Sequence, residues 1–291
     1  MAPTHRILHL SDTHVSREGP DMDGVDAFAS LEQILRDVRH VPDLDLVVVS
    51  GDIADDGSYE GCVAVRELVG GFAEERGIPH VYTTGNHDDR DAFARALGSG
   101  HLGPDGRDVG RLAGGSSGKR AAVSEVSGLR VITLDSLVPG SVHGDLDGGQ
   151  LAWLRGRLAT PAPAGTIVVL HHPPLHVGWS PFMRKDGLHG GERLGDAVAG
   201  TDVRAVLCGH FHLQLSGMLG GVPVWVTPGV VTRNDRTCPP QLIRGVLGAG
   251  ATVVDLGGPF SPTFLTLHAR DPRAGEQVYV VDADSGADAE E

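Results

Sequence analysis

Five short apolar segments, each followed by Asp, Asn or His, are the feature that most constrains the fold of this 291-residue chain. The segments span residues 7–10, 46–49, 81–82, 167–170 and 205–208. Because they are short and rich in aliphatic and β-branched residues, we expect buried strands. The polar residues that follow are Asp12-Thr13-His14, Gly51-Asp52, Gly85-Asn86-His87-Asp88, His171-His172 and Gly209-His210-Phe211-His212. Parallel strands open their ligand crevices at one edge of a sheet, so these side chains are predicted to share one site.

Amphipathic segments lie between several of these strands. Helices are expected over residues 26–40, 58–76, 88–97, 150–158 and 190–199. Alternating strands and helices predict an α/β fold with a parallel sheet and right-handed crossovers. Apolar runs around Ser127-Gly128 and Gly220-Gly221 predict hairpins, which add an antiparallel portion. Further predicted elements are strands at 263–268 and 277–281 and a Gly-rich loop at 98–118.

The length of the chain fits one substantial α/β catalytic domain. We assign residues 1–270 to this domain, including its C-terminal strands, and residues 271–291 to a C-terminal extension. The last part of the extension, residues 282–291, carries five acidic side chains and no bulky apolar one. This composition predicts a disordered acidic tail.

Charge and cysteine content restrict the partners and the compartment. The formal net charge is −14, which argues against a broad surface for nucleic acid or an anionic membrane. An anionic substrate would therefore have to be bound locally by metal ions. The three cysteines are too few and too scattered for a disulfide framework. No apolar run is long enough for a signal-peptide core or a membrane span, so a cytoplasmic protein is expected.

The predicted site offers carboxylate, amide and imidazole donors but no thiolate. Such donors suit divalent first-row ions or ferric iron better than a structural zinc site. The seven candidate ligands are Asp12, His14, Asp52, Asn86, His171, His210 and His212. Two ions that share one carboxylate would each have about four protein ligands and keep positions for water and substrate. Taken alone, Asp12, Asp52 or Asn86 also fits a loop cap, but five motifs at successive strand ends favour the metal site.

The five motifs also carry a family resemblance. D-x-H, G-D, G-N-H-D, H-H-P-P and G-H-x-H, in this order between Asp12 and His212, resemble the calcineurin-like metallophosphoesterase superfamily. The nearest pattern is that of bacterial class III cyclic-nucleotide phosphodiesterases, a group that includes glycerophosphodiesterases. This resemblance implies a four-layer αββα sandwich of two mixed sheets flanked by helices. It also implies two metal ions per chain, with iron or manganese expected first and zinc or cobalt as alternatives.

The same resemblance implies a role for each site residue. Asp12, His14 and His212 bind one ion, Asn86, His171 and His210 bind the other, and Asp52 bridges them. His171 is preferred to His172 because it comes first after its strand, and His172 is expected to support the loop. His87 is the expected catalytic residue, which donates a proton or hydrogen bond to the reacting ester. Asp55 is expected to orient His87.

Four residues are weaker candidates for contacts with substrate, and each also fits an exposed loop. They are His143, Arg184, Lys185 and His189.

The expected activity is hydrolysis of a 3′,5′-cyclic nucleotide, such as cAMP, or of a related small phosphodiester by a metal-bound hydroxide. Glycerophosphodiesterase or phosphomonoesterase activity is the alternative, because the ligands specify ester hydrolysis and not the substituents of the phosphate. A non-catalytic binding scaffold is a third hypothesis, which the complete ligand set disfavours. The expected partner is a small phosphodiester, without nucleic acid polymer or membrane, and a homodimer is left open.

Overall fold

The structure is a computed structural model, and it describes residues 4–17, 19–21, 23–114, 118–285 and 289. The helices in these ranges are α1 (Ala27–Val38), α2 (Tyr59–Glu74), α3 (Arg90–Leu97), α4 (Gly148–Leu158), α5 (Pro181–Asp186) and α6 (Gly191–Val198). The strands of the first half are β1 (His5–Leu10), β2 (Leu46–Val49), β3 (His80–Tyr82), β4 (His101–Leu102), β5 (Arg111–Leu112), β6 (Ala122–Val126), β7 (Leu129–Thr133) and β8 (Gly144–Asp145). Those of the second half are β9 (Thr166–Val169), β10 (Leu188–His189), β11 (Val203–Cys208), β12 (Leu215–Leu219), β13 (Val222–Val226), β14 (Arg233–Asp235), β15 (Leu242–Val246), β16 (Gly250–Leu256), β17 (Thr263–His268) and β18 (Gln277–Asp282). None of the described helices has the length and apolar character needed to cross a membrane.

Two large mixed sheets form the centre of the molecule. The first has the strand order β17-β16-β1-β2-β3-β4, and the second has the order β12-β13-β11-β9-β7-β6-β5. In the first sheet β1, β2 and β3 are parallel, as the alternation of strands and helices predicts. In the second, β7, β9, β11 and β13 are parallel, while β12 and β6 join as antiparallel strands. Both predicted hairpins are therefore part of the second sheet.

Side-chain alternation along the strands divides the core into three apolar layers. Ile7 of β1 faces the second sheet in a cluster with Ile167 and Leu207. Its neighbour Leu8 faces the opposite way, into a cluster with α1, α2 and α3. On the outer face of the second sheet, α4 and α6 pack against β9 and β11. The three apolar layers thus lie between four layers of secondary structure, in the order helix, sheet, sheet and helix. The expected αββα sandwich is confirmed.

Five predicted helices are present as α1, α2, α3, α4 and α6. The predicted loop at 98–118 instead contains β4 and β5, and its residues 115–117 lie outside the described ranges. β16 is absent from the predicted elements, yet it lies beside β1 and pairs with it in antiparallel register. Its sequence, Gly250-Ala251-Thr252-Val253-Val254, begins with small residues next to Gly248 and Ala249, so its apolar run was short. Only pairing with β1 and β17 makes it a central strand.

Two small sheets accompany the large ones: β8 pairs with β10, and the C-terminal part of the chain forms a three-stranded sheet in the order β14-β15-β18. Its last strand, β18, lies within residues 271–291 and pairs with β15 in antiparallel register. Ala289 also donates a backbone hydrogen bond to the carbonyl of Val280. Of the acidic tail for which disorder is expected, residues 286–288, 290 and 291 lie outside the described ranges.

Candidate metal centre

The candidate ligands lie in the turns that follow five strands, three from the first sheet and two from the second. Asp12 and His14 follow β1, Asp52 follows β2, Asn86 follows β3, His171 follows β9, and His210 and His212 follow β11. Backbone hydrogen bonds join the turns, because Asp12 N donates to Gly51 O at 3.1 Å and Gly209 N donates to His171 O at 3.0 Å. The structure brings all seven predicted ligands to the shared edge of the two sheets.

The backbone at this edge is held in an unusual conformation. Among the described residues, seven that are not glycine have positive φ, and five of these are predicted ligands. The five are Asp12 (φ 55°), His14 (φ 44°), Asp52 (φ 47°), His210 (φ 70°) and His212 (φ 49°). Left-handed conformations are costly for such residues and cluster at functional sites, where the surrounding structure enforces them. The concentration here indicates that the turns are shaped to direct these side chains.

Asp12 and Asp52 lie at the centre of the cluster. Asp12 Oδ1 is 3.2 Å from His212 Nε2, and both Asp12 oxygens accept from the backbone N–H of His210. Asp52 Oδ2 is 3.1 Å from His171 Nε2 and 3.5 Å from His14 Nε2. Asp52 therefore contacts one histidine from each of the two expected ligand sets, which is the position required of a bridging carboxylate.

Each of the four candidate histidine ligands has one ring nitrogen fixed by an oxygen of the protein. His14 Nδ1 lies 2.8 Å from Asp55 Oδ1, and His171 Nδ1 lies 2.7 Å from Ser50 O. His210 Nε2 lies 2.8 Å from Asp186 O, and His212 Nδ1 lies 3.0 Å from Thr232 Oγ1. In His14, His171 and His210 the partner is a carbonyl or carboxylate oxygen, so that nitrogen carries the proton of the neutral ring and the other nitrogen keeps a lone pair. This arrangement is typical of histidines that bind metals.

His172 differs from these four residues. Its Nδ1 lies 2.8 Å from Ser136 Oγ and its Nε2 lies 2.9 Å from Val142 O, so both nitrogens have partners within the protein. Donor atoms of His171, His172 and His210 lie within 4.8 Å of one another, so the choice of His171 over His172 stays a prediction.

Three buried polar atoms of the candidate ligands have no hydrogen-bond partner: His14 Nε2, His171 Nε2 and Asn86 Oδ1. A buried polar atom without a partner is costly, and each such atom in a native protein calls for an explanation such as a bound ion. The donors of Asp12, His14 and His212 lie within 4.8 Å of one another, as do those of Asp12, Asp52 and His171. These residues fit metal ions in both composition and spacing.

Charge pairs set the protonation states of the cluster. Burial alone would raise the pKa of Asp12, but His212 and His171 lower it to about 2. In the same way, His171, His87 and His14 hold the pKa of the buried Asp52 well below its usual range. Desolvation disfavours the charged form of His87, yet Asp52 and Asp55 raise its pKa to about 10. Both central carboxylates are therefore ionised, as metal binding requires, and His87 is protonated next to them.

Asp55 contacts two histidines. Its carboxylate is 2.8 Å from His14 Nδ1 but 3.3 Å from His87 Nδ1, and the closer partner of His87 is the backbone carbonyl of Asp55 at 2.9 Å. Asp55 therefore supports His87 mainly through its backbone and directs its side chain toward the candidate ligand His14. The sequence predicts only the contact with His87.

A cavity of ≈ 340 Å³ opens over the cluster. His14, Asp52, Asn86, His87, His210 and His212 form its floor, together with Asp55. Its other walls are formed by residues with no recognisable motif, which sequence reasoning missed: Asp21, Asp23, Val142, Phe182, Val231, Thr232, Asn234, Ile243, Tyr279 and Val281. No described residue that lines the cavity is a lysine or an arginine.

The four weaker candidates do not line this cavity. His143 stacks on His189 with ring centroids 4.0 Å apart. Arg184 Nη1 donates to Gly178 O, and Lys185 Nζ donates to the carbonyls of Ala283 and Asp284. These side chains therefore fix loops around the cavity, and the neighbouring Val142 and Phe182 are the residues that reach it.

Comparisons with known proteins agree with this geometry. The family described as calcineurin-like phosphoesterase matches residues 5–214. A probable cyclic nucleotide phosphodiesterase of Rhodococcus erythropolis is 36% identical over 290 residues, which cover 98% of this chain and 90% of the relative. A cAMP/cGMP dual specificity phosphodiesterase of Mycobacterium tuberculosis is 36% identical over 251 residues, 85% of this chain and 74% of the relative. The fold is similar to that of a purple acid phosphatase from yellow lupin, with a TM-score of 0.53 and 14% identity over 100% of this chain and 53% of that one.

Proposed function

Because this chain belongs to the calcineurin-like phosphoesterase family and is thus a phosphoric ester hydrolase, we propose that it is a dinuclear-metal phosphodiesterase for 3′,5′-cyclic nucleotides. The observation that carries the dinuclear part is the position of Asp52. Its carboxylate contacts His14 and His171, which belong to different ligand sets, and the Nε2 atom of each is buried and makes no hydrogen bond. One ion per set would satisfy these atoms.

We assign Asp12, His14 and His212 to one ion and Asn86, His171 and His210 to the other, with Asp52 shared. Such ions polarise phosphoryl oxygens and lower the pKa of bound water. Iron or manganese suits this mixed oxygen and nitrogen donor set, with zinc or cobalt as alternatives.

His87 lies beside the candidate ligands, and we assign it to neither ion. Its Nδ1 is fixed by the Asp55 carbonyl at 2.9 Å, which leaves Nε2 as the nitrogen that reaches substrate. The ring lines the cavity, beside the Asp52 and Asp55 groups that raise its pKa in the metal-free protein. We assign His87 the role of donating a proton, or a hydrogen bond, to the departing alkoxide or the transferring phosphoryl group.

The charge of the cavity favours a monoanionic diester. Asp21, Asp23 and Asp55 line it alongside the candidate ligands, and no described lining residue is a lysine or an arginine. These carboxylates would therefore repel a phosphate group that carries a second negative charge. A volume of ≈ 340 Å³ lies in the range of small-molecule sites. The activities named for the Rhodococcus and Mycobacterium relatives support a cyclic nucleotide as this diester.

A substrate panel with metal-reconstituted protein tests the proposal. The panel contains cAMP, a glycerophosphodiester and an aryl phosphomonoester, and metal content is measured in parallel. We expect hydrolysis of cAMP to exceed that of the other two substrates. If the protein clearly prefers the glycerophosphodiester or the monoester, that compound replaces the cyclic nucleotide as the proposed substrate.

The variant Asp52→Asn tests the shared carboxylate. Loss of the shared charge is expected to lower turnover of every phosphoester by orders of magnitude, whereas the matched control Asp56→Asn changes an exposed carboxylate in the same loop. Near-normal activity of metal-saturated Asp52→Asn would refute the dinuclear site.

We further propose a cytoplasmic location. The three cysteines, Cys62, Cys208 and Cys238, are all free and buried, which suits a reducing compartment. The homodimer left open by the sequence stays a prediction.

A further inference from the structure

One face of the C-terminal sheet closes the cavity opposite the candidate ligands. Asn234 of β14, Gly245 of β15 and Tyr279 of β18 are aligned across this sheet. In the next row, Ile243 pairs with Val281. Asn234, Ile243, Tyr279 and Val281 all line the cavity. We call this set of four side chains the C-terminal wall.

The ring of Tyr279 occupies the space that a side chain at Gly245 would fill. A Cβ at Gly245 would lie 2.3 Å from Tyr279 Cζ and 2.4 Å from Cε1, far closer than atoms can approach. The aromatic ring therefore lies directly over the backbone of β15. Such a fixed ring offers a flat surface that loses little conformational freedom when a ligand packs on it.

Thr232 lines the cavity with Tyr279 and contacts the candidate ligand His212. When His212 uses Nε2 for a metal, its Nδ1 carries a proton, which it donates to Thr232 Oγ1 at 3.0 Å. Burial raises the pKa of the Tyr279 phenol, and the neighbouring Thr232 side chain opposes part of this shift. The phenol proton stays available to a ligand in the cavity.

Asn234 supplies a second polar group on the same wall. Its Nδ2 donates to Phe211 O at 2.9 Å, and its Oδ1 is buried without a hydrogen-bond partner. The wall thus combines a fixed aromatic ring and two aliphatic side chains with one donor and one acceptor. A nucleoside has the matching surface, because its base is flat and apolar on its faces and polar at its edges.

We propose that Tyr279 is a substrate-binding residue and that the C-terminal wall binds the nucleoside part of the phosphodiester. This inference deepens the proposed function and rests on it for the identity of the substrate. It also makes the strand β18, far from every motif in the sequence, part of the specificity of the site.

The experiment compares a ligand that has a nucleoside with one that lacks it. Binding of 5′-AMP and of inorganic phosphate to metal-loaded protein is measured by calorimetry for wild type, Tyr279→Leu and Tyr279→Phe. Stacking of a base on an aromatic ring contributes about 1–3 kcal/mol, so Tyr279→Leu is expected to weaken binding of 5′-AMP by between about fivefold and about 150-fold. Phosphate binding should change less than about twofold. Tyr279→Phe keeps the ring and should lose less affinity for 5′-AMP than Tyr279→Leu.

Kinetics and a control variant complete the test. For cAMP, Tyr279→Leu should raise KM by a similar factor and change kcat little. The matched control is Phe264→Leu, which removes another strand aromatic that stacks on Trp225, with centroids 4.8 Å apart, away from the cavity. It should leave both dissociation constants unchanged.

Two results would overturn the inference. Equal weakening of 5′-AMP and phosphate would show that Tyr279 acts only on the metal centre, and unchanged 5′-AMP binding would show that the ring makes no contact. Failure of the wild-type protein to hydrolyse cyclic nucleotides would instead refute the proposed function. The calorimetric contrast needs no turnover, so the two failures are distinguishable.

Discussion

At the scale of single residues, burial separates the proposed metal ligands from the proposed catalytic residue. The candidate histidine ligands are buried or nearly so, and each is fixed on one side by a protein oxygen. His87 is different, because 40% of its side chain is exposed and it lines the cavity. A residue that donates a proton to substrate needs this exposure, whereas a ligand does not.

The variant His87→Ala is expected to keep both metals and to lose roughly 100-fold in turnover of a cyclic nucleotide, the usual scale of general acid catalysis. The ribose alkoxide is a poor leaving group and needs the proton. An aryl phosphodiester has a stable anion as its leaving group, so its turnover by the variant should fall less. Metal content and turnover on both substrates are the measurements. Equal losses would indicate stabilisation of phosphoryl charge instead of protonation of the leaving group.

The metal content and turnover of Asp55→Asn are to be compared with those of His87→Ala. Because the carboxylate of Asp55 is 2.8 Å from His14 Nδ1, its replacement should lower metal content as well as turnover. Partners that orient metal-binding histidines contribute about 10–100-fold in affinity. A metal content equal to that of wild type would show that Asp55 acts on His87 alone.

At the scale of elements, glycines allow the turns after the strands to approach one another. A Cβ at Gly85 would lie 2.2 Å from Asp52 Oδ1 and 2.4 Å from Asp52 N. A Cβ at Gly51, which also has φ of +95°, would lie 2.5 Å from His171 Nδ1. The glycines of the G-D and G-N-H-D motifs are thus required by the close approach of turns from different strands.

Gly85→Ala is expected to displace Asp52 and to weaken metal binding about 10–100-fold, on the scale known for residues that support ligands. The control is Gly71→Ala on α2, where a Cβ would meet no atom within 4 Å and where alanine favours the helix. Metal titration of both variants checks this expectation. Wild-type affinity in Gly85→Ala would mean that the turn shifts without moving the carboxylate.

At the scale of the whole molecule, a buried histidine joins the two large sheets. His101 of β4 hydrogen-bonds Ser124 Oγ of β6 at 2.7 Å and Thr133 Oγ1 of β7 at 2.9 Å. Burial lowers the pKa of His101 to about 3, compared with about 6.5 in an unfolded chain. Between these values the unfolded state binds a proton that the native state does not. The free energy of unfolding therefore falls as the pH falls through this window.

The variant His101→Gln should remove this difference of one bound proton between the unfolded and native states. Between pH 5 and pH 6, the slope of the unfolding free energy against pH should decrease by about 1 kcal/mol per pH unit relative to wild type. Urea unfolding of metal-free protein at several pH values gives this slope. The control His40→Gln changes an exposed histidine and should keep the wild-type slope. Identical slopes for wild type and His101→Gln would show that the buried ring is protonated in the native state as well.

The sequence by itself determined the motif turns and most helices. Short apolar runs can bury both faces only as strands of a covered sheet, so the positions of Asp12, Asp52, Asn86, His171 and His210 after strand ends followed from local pattern. Helical spacing likewise placed α1 and α2 within a few residues. These features depend on neighbours in the chain, and a single sequence contains that information.

The tertiary structure alone decided which distant segments meet. β16 becomes a central strand only by pairing with β1, about 245 residues away in sequence. Asp55 directs its carboxylate to His14 because the turns after β1 and β2 lie side by side. Tyr279 reaches the cavity because Gly245 leaves room for its ring and because β18 pairs with β15. These contacts depend on sheet order and close packing between remote parts of the chain, and no local pattern of residue types specifies either.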